Sequence, residues 1–499
     1  MGTDARNERR STDSVVHRIS GISTANRPGN RHDWITGLTD AGHSCSKSTR
    51  GTRRCHMNTS NPMRPAISRR TFLGAVAATG VGSLAAGCGA GDDNAGDSSS
   101  AGGELSIMFW GEGNQNELQL ELIELYEQQA DGVTFSAEYS GLEGYYDKLA
   151  TRVAGGNPAD IFGIHDVSLA EYAARGAVRN IEEFRAEPLG LDSVANESVV
   201  EGCLIGGELH FVPLGVSTEP GFIYDKTVLE QAGLALPSDE WTLAEYRELA
   251  QAVAQSGVRT AGTADLGGVP PALGAWLRTH ELSLLSSGGL GFDVDDLAEW
   301  FNFWDELRRE GSAVPIEVTA AAVGFQNDPV VTADAALTTT AKDKGWLALD
   351  GLTDDELVLV PFPRAAADAP AATQIVPGAW FAVSAESEKV DAAIDFLSYH
   401  ISNMDALRTI GIGRHGVPLF EEAREELYPE AKPAHQKIYD LLATVEASQT
   451  GAVDVVYPVG ANELFQQLKP LNEQIGFGQS GVSDAAESFF DTAERILEG

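Results

Sequence analysis

At 499 residues, with 73 Asp and Glu against 35 Lys and Arg, the chain carries a net charge of −38. A surface so acidic repels nucleic acid and anionic headgroups, so a nucleic-acid partner is not expected. The length exceeds what one hydrophobic core usually supports, and at least two lobes are expected.

Residues 1–56 are rich in Arg, Gly, Ser and Thr and show little apolar periodicity. They read as a disordered or untranslated extension, and Met57 and Met63 are better placed starts for the basic and apolar segment beyond them. Arg64, Arg69 and Arg70 form the basic start of that segment, Phe72 to Ala86 a weakly apolar stretch, and Leu84-Ala85-Ala86-Gly87-Cys88 its close. The stretch is short of the ~20 residues that span a bilayer as a helix, and it fits a removable targeting segment over residues 57–87. The arginines gather at one end instead of along one face, which argues against a buried amphipathic helix. Ser68-Arg69-Arg70-Thr71-Phe72-Leu73 resembles the twin-arginine export motif, and Leu84 to Cys88 resembles the lipobox of bacterial lipoproteins. The expected working protein therefore begins at Cys88, carries lipid there, and sits on the outer face of the cytoplasmic membrane.

Residues 1–87 hold 13 Lys and Arg and 5 Asp and Glu, so the remainder is more acidic still, at about −46. A solubilising acidic coat explains this without reference to a ligand. Cys45 and Cys55 lie in the extension, which leaves Cys203 as a lone, buried thiol. Residues 88–103 read as a lipid-anchored tether of Gly, Ser, Ala, Asp and Asn, with a random-coil reach of roughly 20 Å.

Order is expected from Glu104. Strands over Leu105–Trp110, Val133–Tyr139 and Asp160–Ile164 alternate with helices over Asn116–Gln129, Tyr145–Ala154 and Ser168–Arg175. This alternation predicts an α/β domain with a largely parallel sheet. A second set comprises strands at Phe222–Tyr224, Ala335–Thr338 and Leu357–Val360, and helices at Thr242–Gln255 and Asp293–Arg309. The C-terminal part reads as helical, with segments over Val390–Ser402, Pro433–Ala447, Ala461–Ile475 and Val482–Leu497.

No Gly-x-Ser-x-Gly, His-Glu-x-x-His or Walker loop lies beyond residue 87. Two Gly-x-Gly-x-x-Gly runs, Gly411–Gly416 and Gly476–Gly481, come after helical segments, not strands, and read as helix stops. The histidines beyond residue 87 have no ligand spacing, so no metal site and no cofactor are expected. Aromatic residues give the better signal. Trp110 ends the first strand beside Glu112 and Asn114, and Asp166 comes after the third, next to His165, at the strand ends where open α/β sheets bind ligands. Trp276, Trp346 and Trp380 fall in or beside Gly-containing loops. A Trp face with acids, amides and Arg nearby suits the apolar face and hydroxyl rim of a sugar. A single Trp is nevertheless more often core, and Trp300 and Trp304, at helical spacing, read as core.

Gly156-Asn157-Pro158-Ala159-Asp160-Ile161-Phe162, Gly207-Glu208-Leu209-His210-Phe211-Val212-Pro213, Phe222-Ile223-Tyr224-Asp225-Lys226 and Gly378-Ala379-Trp380-Phe381-Ala382-Val383-Ser384 occur in order. Together, behind a lipobox, they resemble the extracellular solute-binding proteins (family 1) of bacterial ABC importers. The carbohydrate-binding, maltodextrin-binding-like subgroup is the nearest. The resemblance implies a two-lobed periplasmic-binding-protein fold of type II, with crossing hinge strands and a helix-rich C-terminal part. It divides the chain into an N-lobe of residues 104–216 plus 372–420 and a C-lobe of residues 220–365 plus 421–499. It implies crossings near Val216–Pro220, Pro361–Ile375 and Gly416–Phe420, with closure over a bound ligand.

Carried over residue by residue, it puts Glu112, Asn114, Asp166 and Glu219 on sugar hydroxyls and Trp346 as a stacking residue. Trp110, Trp276, Trp380 and Arg414 complete the expected ligand set. It implies a sugar or oligosaccharide as ligand, the permease subunits as partners, a monomeric state and no catalysis. Two alternatives stand beside it. One is a secreted carbohydrate-active enzyme using carboxylates among Glu112, Asp166 and Glu219. The other is a binder of a non-sugar solute such as a polyamine or metal chelate.

Overall fold

The computed structural model describes residues 103–497, apart from 112, 143, 287–288 and 449–455. The export segment, Cys88, the tether and Glu112 lie outside the described residues.

Ten strands position the site. They are β1 (Glu104–Trp110), β2 (Thr134–Ser140), β3 (Ile161–Ile164), β4 (Phe211–Pro213), β5 (Val216–Glu219), β6 (Gly221–Asp225), β7 (Leu337–Thr340), β8 (Leu357–Val360), β9 (Gln374–Pro377) and β10 (Trp380–Val383). The fold is the two-lobed α/β arrangement expected from the sequence. The first lobe holds a five-stranded sheet in the order β2-β1-β3-β10-β4, and the second a three-stranded sheet in the order β7-β6-β8.

The first sheet is largely parallel, as expected, with one reversed strand, whereas the second is not. β1 pairs in parallel with β2 and β3, but β10 runs antiparallel between β3 and β4, and the second sheet is wholly antiparallel. The cause is the path between lobes. The chain leaves β4 through residues 214–215 into β5 and returns through β9 and residues 378–379 into β10. β5 and β9 pair antiparallel, from Val216 opposite Pro377 to Glu219 opposite Gln374. Two residues join each of these strands to its neighbour in the first sheet, where β4 and β10 again pair antiparallel.

A third segment meets this pair where Val216 and Val417 exchange two backbone hydrogen bonds of 2.7 Å. The three segments pack backbone to backbone because glycine stands at the contact. A Cβ on Gly378 would lie 1.9 Å from the carbonyl oxygen of His415.

Two large hydrophobic core clusters form among the described residues, and the first runs from the first sheet past the crossing strands to Ile223, Trp346, Leu357 and Leu359 of the second lobe. Leu105, Ile107, Phe162, Phe211, Phe381, Phe396 and Leu397 belong to the first core. Phe222, Tyr246, Trp300, Trp304, Leu464 and Phe489 belong to the second core. Ile438, Leu441, Leu442 and Val445, on the helix Pro433–Glu446, belong to the first core, and Lys437 of that helix donates to the carbonyl oxygen of Leu357 on β8 at 3.1 Å.

The helix starts read at Thr242 and Asp293 are one residue early for a physical reason. Both residues are N-caps whose side chains accept the backbone amides of Glu245 and Asp296 in capping boxes. The single helix read over Ala461–Ile475 is two, Ala461–Phe465 and Leu468–Gly476. Pro470 has no N–H to give and its ring crowds the carbonyl of Gln466, so the turn breaks there. Cys203 is buried and unpaired, as expected, with Sγ 3.5 Å from the carbonyl oxygen of Val199.

Candidate functional site

A cavity of about 220 Å³ opens at the carboxyl ends of β1 and β3, beside the crossing strands. Trp110, His165, Lys342, Lys344, Trp380, Arg414 and His415 are among its walls. Open α/β sheets bind ligands at such strand ends, where loops diverge and leave backbone groups to be satisfied.

Trp110 is the last residue of β1 and is half-buried. Its ring lies against Tyr145 at 4.9 Å, Tyr146 at 6.0 Å and His165 at 6.3 Å between centroids. Gly163 on β3 leaves room for it, since a Cβ there would lie 2.8 Å from Cζ3 of the indole. Gly163→Ala is therefore expected to tilt Trp110 off the cavity wall. It should cost about 1–3 kcal/mol, read as a lower urea midpoint with an unchanged m value. Trp380 opens β10; its Nε1 donates to the carbonyl oxygen of Gly202 at 3.0 Å, and the Lys342 ammonium lies 4.5 Å from its ring centroid.

Asp166 is buried between two basic groups. It contacts Nδ1 of His165 and pairs with Lys342 at 3.4 Å. Burial alone would raise its carboxyl. His165 and Lys342 outweigh burial, with hydrogen bonds from His165 and the Val167 amide, and hold it well below the usual carboxylate range.

Lys344 donates to the carbonyl oxygens of Gly378 at 2.8 Å and Arg414 at 3.0 Å. Burial and the charges of Lys342 and Arg414, partly offset by Asp343 and Asp166, push its ammonium down to about 7. Arg414 reaches across to the carbonyl oxygen of Trp110 at 2.9 Å and Oε1 of Gln119 at 3.3 Å. Burial brings it down to about 10. Burial and the Arg414 charge also keep His415 neutral.

Of the residues expected from the sequence, Trp110, Trp380 and Arg414 line this cavity, and Asp166 stands just behind it on Lys342. Others are placed elsewhere. Asn114 is exposed at the start of helix Gln115–Glu127. Glu219 is buried on β5 opposite Gln374, and Nη2 of Arg278 donates to its carbonyl oxygen at 3.4 Å. Trp276 packs in the second core, with its ring 4.1 Å from His280 and 6.0 Å from Trp300. Trp346 is fully buried in the first core. A loop glycine beside a Trp does not tell a cleft from a core.

Lys342, Lys344, His165 and His415 complete the cavity and escape a reading of the sequence by motif. A signal for two of them is present: Lys342-Asp343-Lys344 sets two cations within three residues of a strongly acidic chain.

The fold is shared with solved solute-binding proteins. An extracellular solute-binding protein of family 1 from Alicyclobacillus acidocaldarius is similar at a TM-score of 0.64 and 21% identity, over 79% of this chain and 98% of that one. A periplasmic solute-binding protein from Pectobacterium atrosepticum gives a TM-score of 0.70 and 20% identity over the same shares. A periplasmic oligogalacturonide-binding protein from Yersinia enterocolitica, solved with saturated digalacturonic acid, gives 0.66 and 18% over the same shares. The sequence model of the bacterial extracellular solute-binding proteins matches residues 121–437, and the chain belongs to that family.

Proposed function

We propose that the chain captures a sugar or oligosaccharide in this cavity and hands it to the permease of an ABC importer, anchored beside it by lipid on Cys88. The observation that carries this is the Trp110 face set at a strand end next to Asp166, Lys342 and Arg414. An indole face takes the C–H side of a sugar ring, and charged donors and acceptors take its hydroxyls.

The cavity is smaller than the roughly 300–1,000 Å³ of clefts for drug-sized ligands. It suits one sugar ring or the end of a chain. Hinge motion about β5 and β9 would enclose the ligand, the mode of domain closure seen in periplasmic binding proteins. Proteins of this fold solved with saccharides, such as the Yersinia protein, support the ligand class. An enzyme reading would need a carboxylic acid with a raised pKa. Asp166 is held low by its basic neighbours, which favours a binding role.

Saturable thermal stabilisation of the full chain by at least one saccharide is expected, because a ligand that binds only the folded state raises its stability. Trp110→Ala should weaken that saccharide about tenfold or more, the scale of an anchoring aromatic residue. Stabilisation by a polyamine or metal chelate and by no saccharide would contradict the proposal.

A further inference from the structure

The cavity has the opposite charge to the chain around it. Lys342, Lys344 and Arg414 line it, in a chain of net charge −38. One carboxylate, Asp166, pairs with Lys342 at 3.4 Å. Among the described residues, the hydrogen-bond partners of the Lys344 and Arg414 cations are uncharged oxygens: the carbonyls of Gly378, Arg414 and Trp110, and the amide of Gln119.

Asp343 stands next to Lys344 in sequence but is bound elsewhere. One of its oxygens accepts from N and Oγ1 of Thr218 at 2.7 and 3.0 Å. The other accepts from the Lys344 amide at 2.6 Å, and Asp343 is not among the lining residues. Cations drawn out of water in excess of their counter-charges are costly to hold. A neutral sugar can accept hydrogen bonds from them and leaves the excess charge in place. An anionic group on the ligand would balance it, in a medium where charge pairs are stronger than in water.

We propose that the saccharide taken by this cavity is anionic, bearing a carboxylate or a phosphate ester that sits among Lys342, Lys344 and Arg414. The proposal rests on the reading of the cavity as a saccharide site. The Lys342-Asp343-Lys344 run supplies two of the three cations, and the short helix Ile412–His415 brings the third from a distant part of the chain. The acidic surface keeps anions in general at a distance, so admission depends on the ring that stacks on Trp110 as well as on the charge.

Titration calorimetry on the full chain tests this with matched sets: a hexose, its uronate and its phosphate ester, in the gluco and galacto series. In at least one set a charged member is expected to bind about tenfold or more tighter than the neutral hexose, the scale of one charge-assisted hydrogen bond. The uronate and ester arms distinguish carboxylate from phosphate. Lys344→Met should weaken the charged member about tenfold more than the neutral one. If that variant does not fold, Lys342→Gln carries the same comparison.

Uronate affinity should also fall between about pH 6 and about pH 8, as Lys344 loses its proton, while hexose affinity stays level. The charged or titratable groups that face Lys344 are Lys342, Asp343, Arg414, Asp166 and His415. A neutral hexose that binds as tightly as its uronate and ester would overturn the proposal and leave the saccharide reading standing. Binding of no saccharide, charged or neutral, would overturn that reading and this proposal with it.

Discussion

Trp346→Ala is expected to lower the unfolding free energy by about 3–5 kcal/mol, the usual cost of deleting a large aromatic side chain from a core. The residue is 0% exposed. It belongs to the hydrophobic cluster that also holds Ile223, Leu357 and Leu359, and the Lys437 ammonium lies 5.0 Å from its ring centroid. The helix Gly345–Asp350 carries it inward directly after Lys342 and Lys344, so the loss would also loosen the segment that bears the cavity's cations. Its buried Nε1 has no hydrogen-bond partner among the described residues, so Trp346→Phe should cost less. Urea unfolding followed by far-UV circular dichroism reads both variants. A large loss with Ala and a small one with Phe marks a packing residue. No loss with Ala, together with weakened ligand binding, would instead mark the stacking residue that the family resemblance implies.

Gly378→Ala should cost about 3 kcal/mol, at the upper end of overpacking penalties. The new Cβ would lie 1.9 Å from the carbonyl oxygen of His415, and backbone cannot step aside as a flexible side chain can. Displacement of His415 carries Arg414 with it, and the Gly378 carbonyl itself accepts the Lys344 ammonium. The variant should therefore lose ligand binding as well as stability. By contrast, alanine at Gly176 would meet nothing within 4 Å among the described residues, and its positive φ of 68° makes it a backbone control for strain without crowding. Comparing the two variants by urea unfolding and ligand-induced thermal shift separates a tight crossing from the general cost of losing a glycine.

The fold is legible where the sequence repeats a simple pattern. Helices Tyr145–Ala154, Val390–Ser402 and Val482–Leu497 and strand Leu357–Val360 have the bounds read from periodicity and breakers. The direction of β10 is not legible, because it depends on the return of the chain from the second lobe, a non-local fact with no local residue pattern.

The site divides in the same way. Trp110, which ends a strand, is found from strand position, whereas Trp346 and Trp276 stand out for nearby glycines and are packed in cores. Arg414 lies in one of the glycine runs that fail as a dinucleotide motif. Gly411 and Gly416, both at positive φ, bound a four-residue helix that presents the guanidinium to Trp110. Lys342 and Lys344 are missed when charge is summed over the chain and not followed along it.

The most direct test of saccharide capture at Trp110 is a crystal structure of the chain grown with a saccharide that stabilises it. The expected result is a sugar ring in van der Waals contact with the Trp110 indole, with oxygen atoms within hydrogen-bond distance of Lys342, Lys344 or Arg414. A saccharide seated instead in the second lobe, against Trp276 or in the groove lined by Asp239, Glu281 and Arg364, with the Trp110 cavity empty, would contradict it.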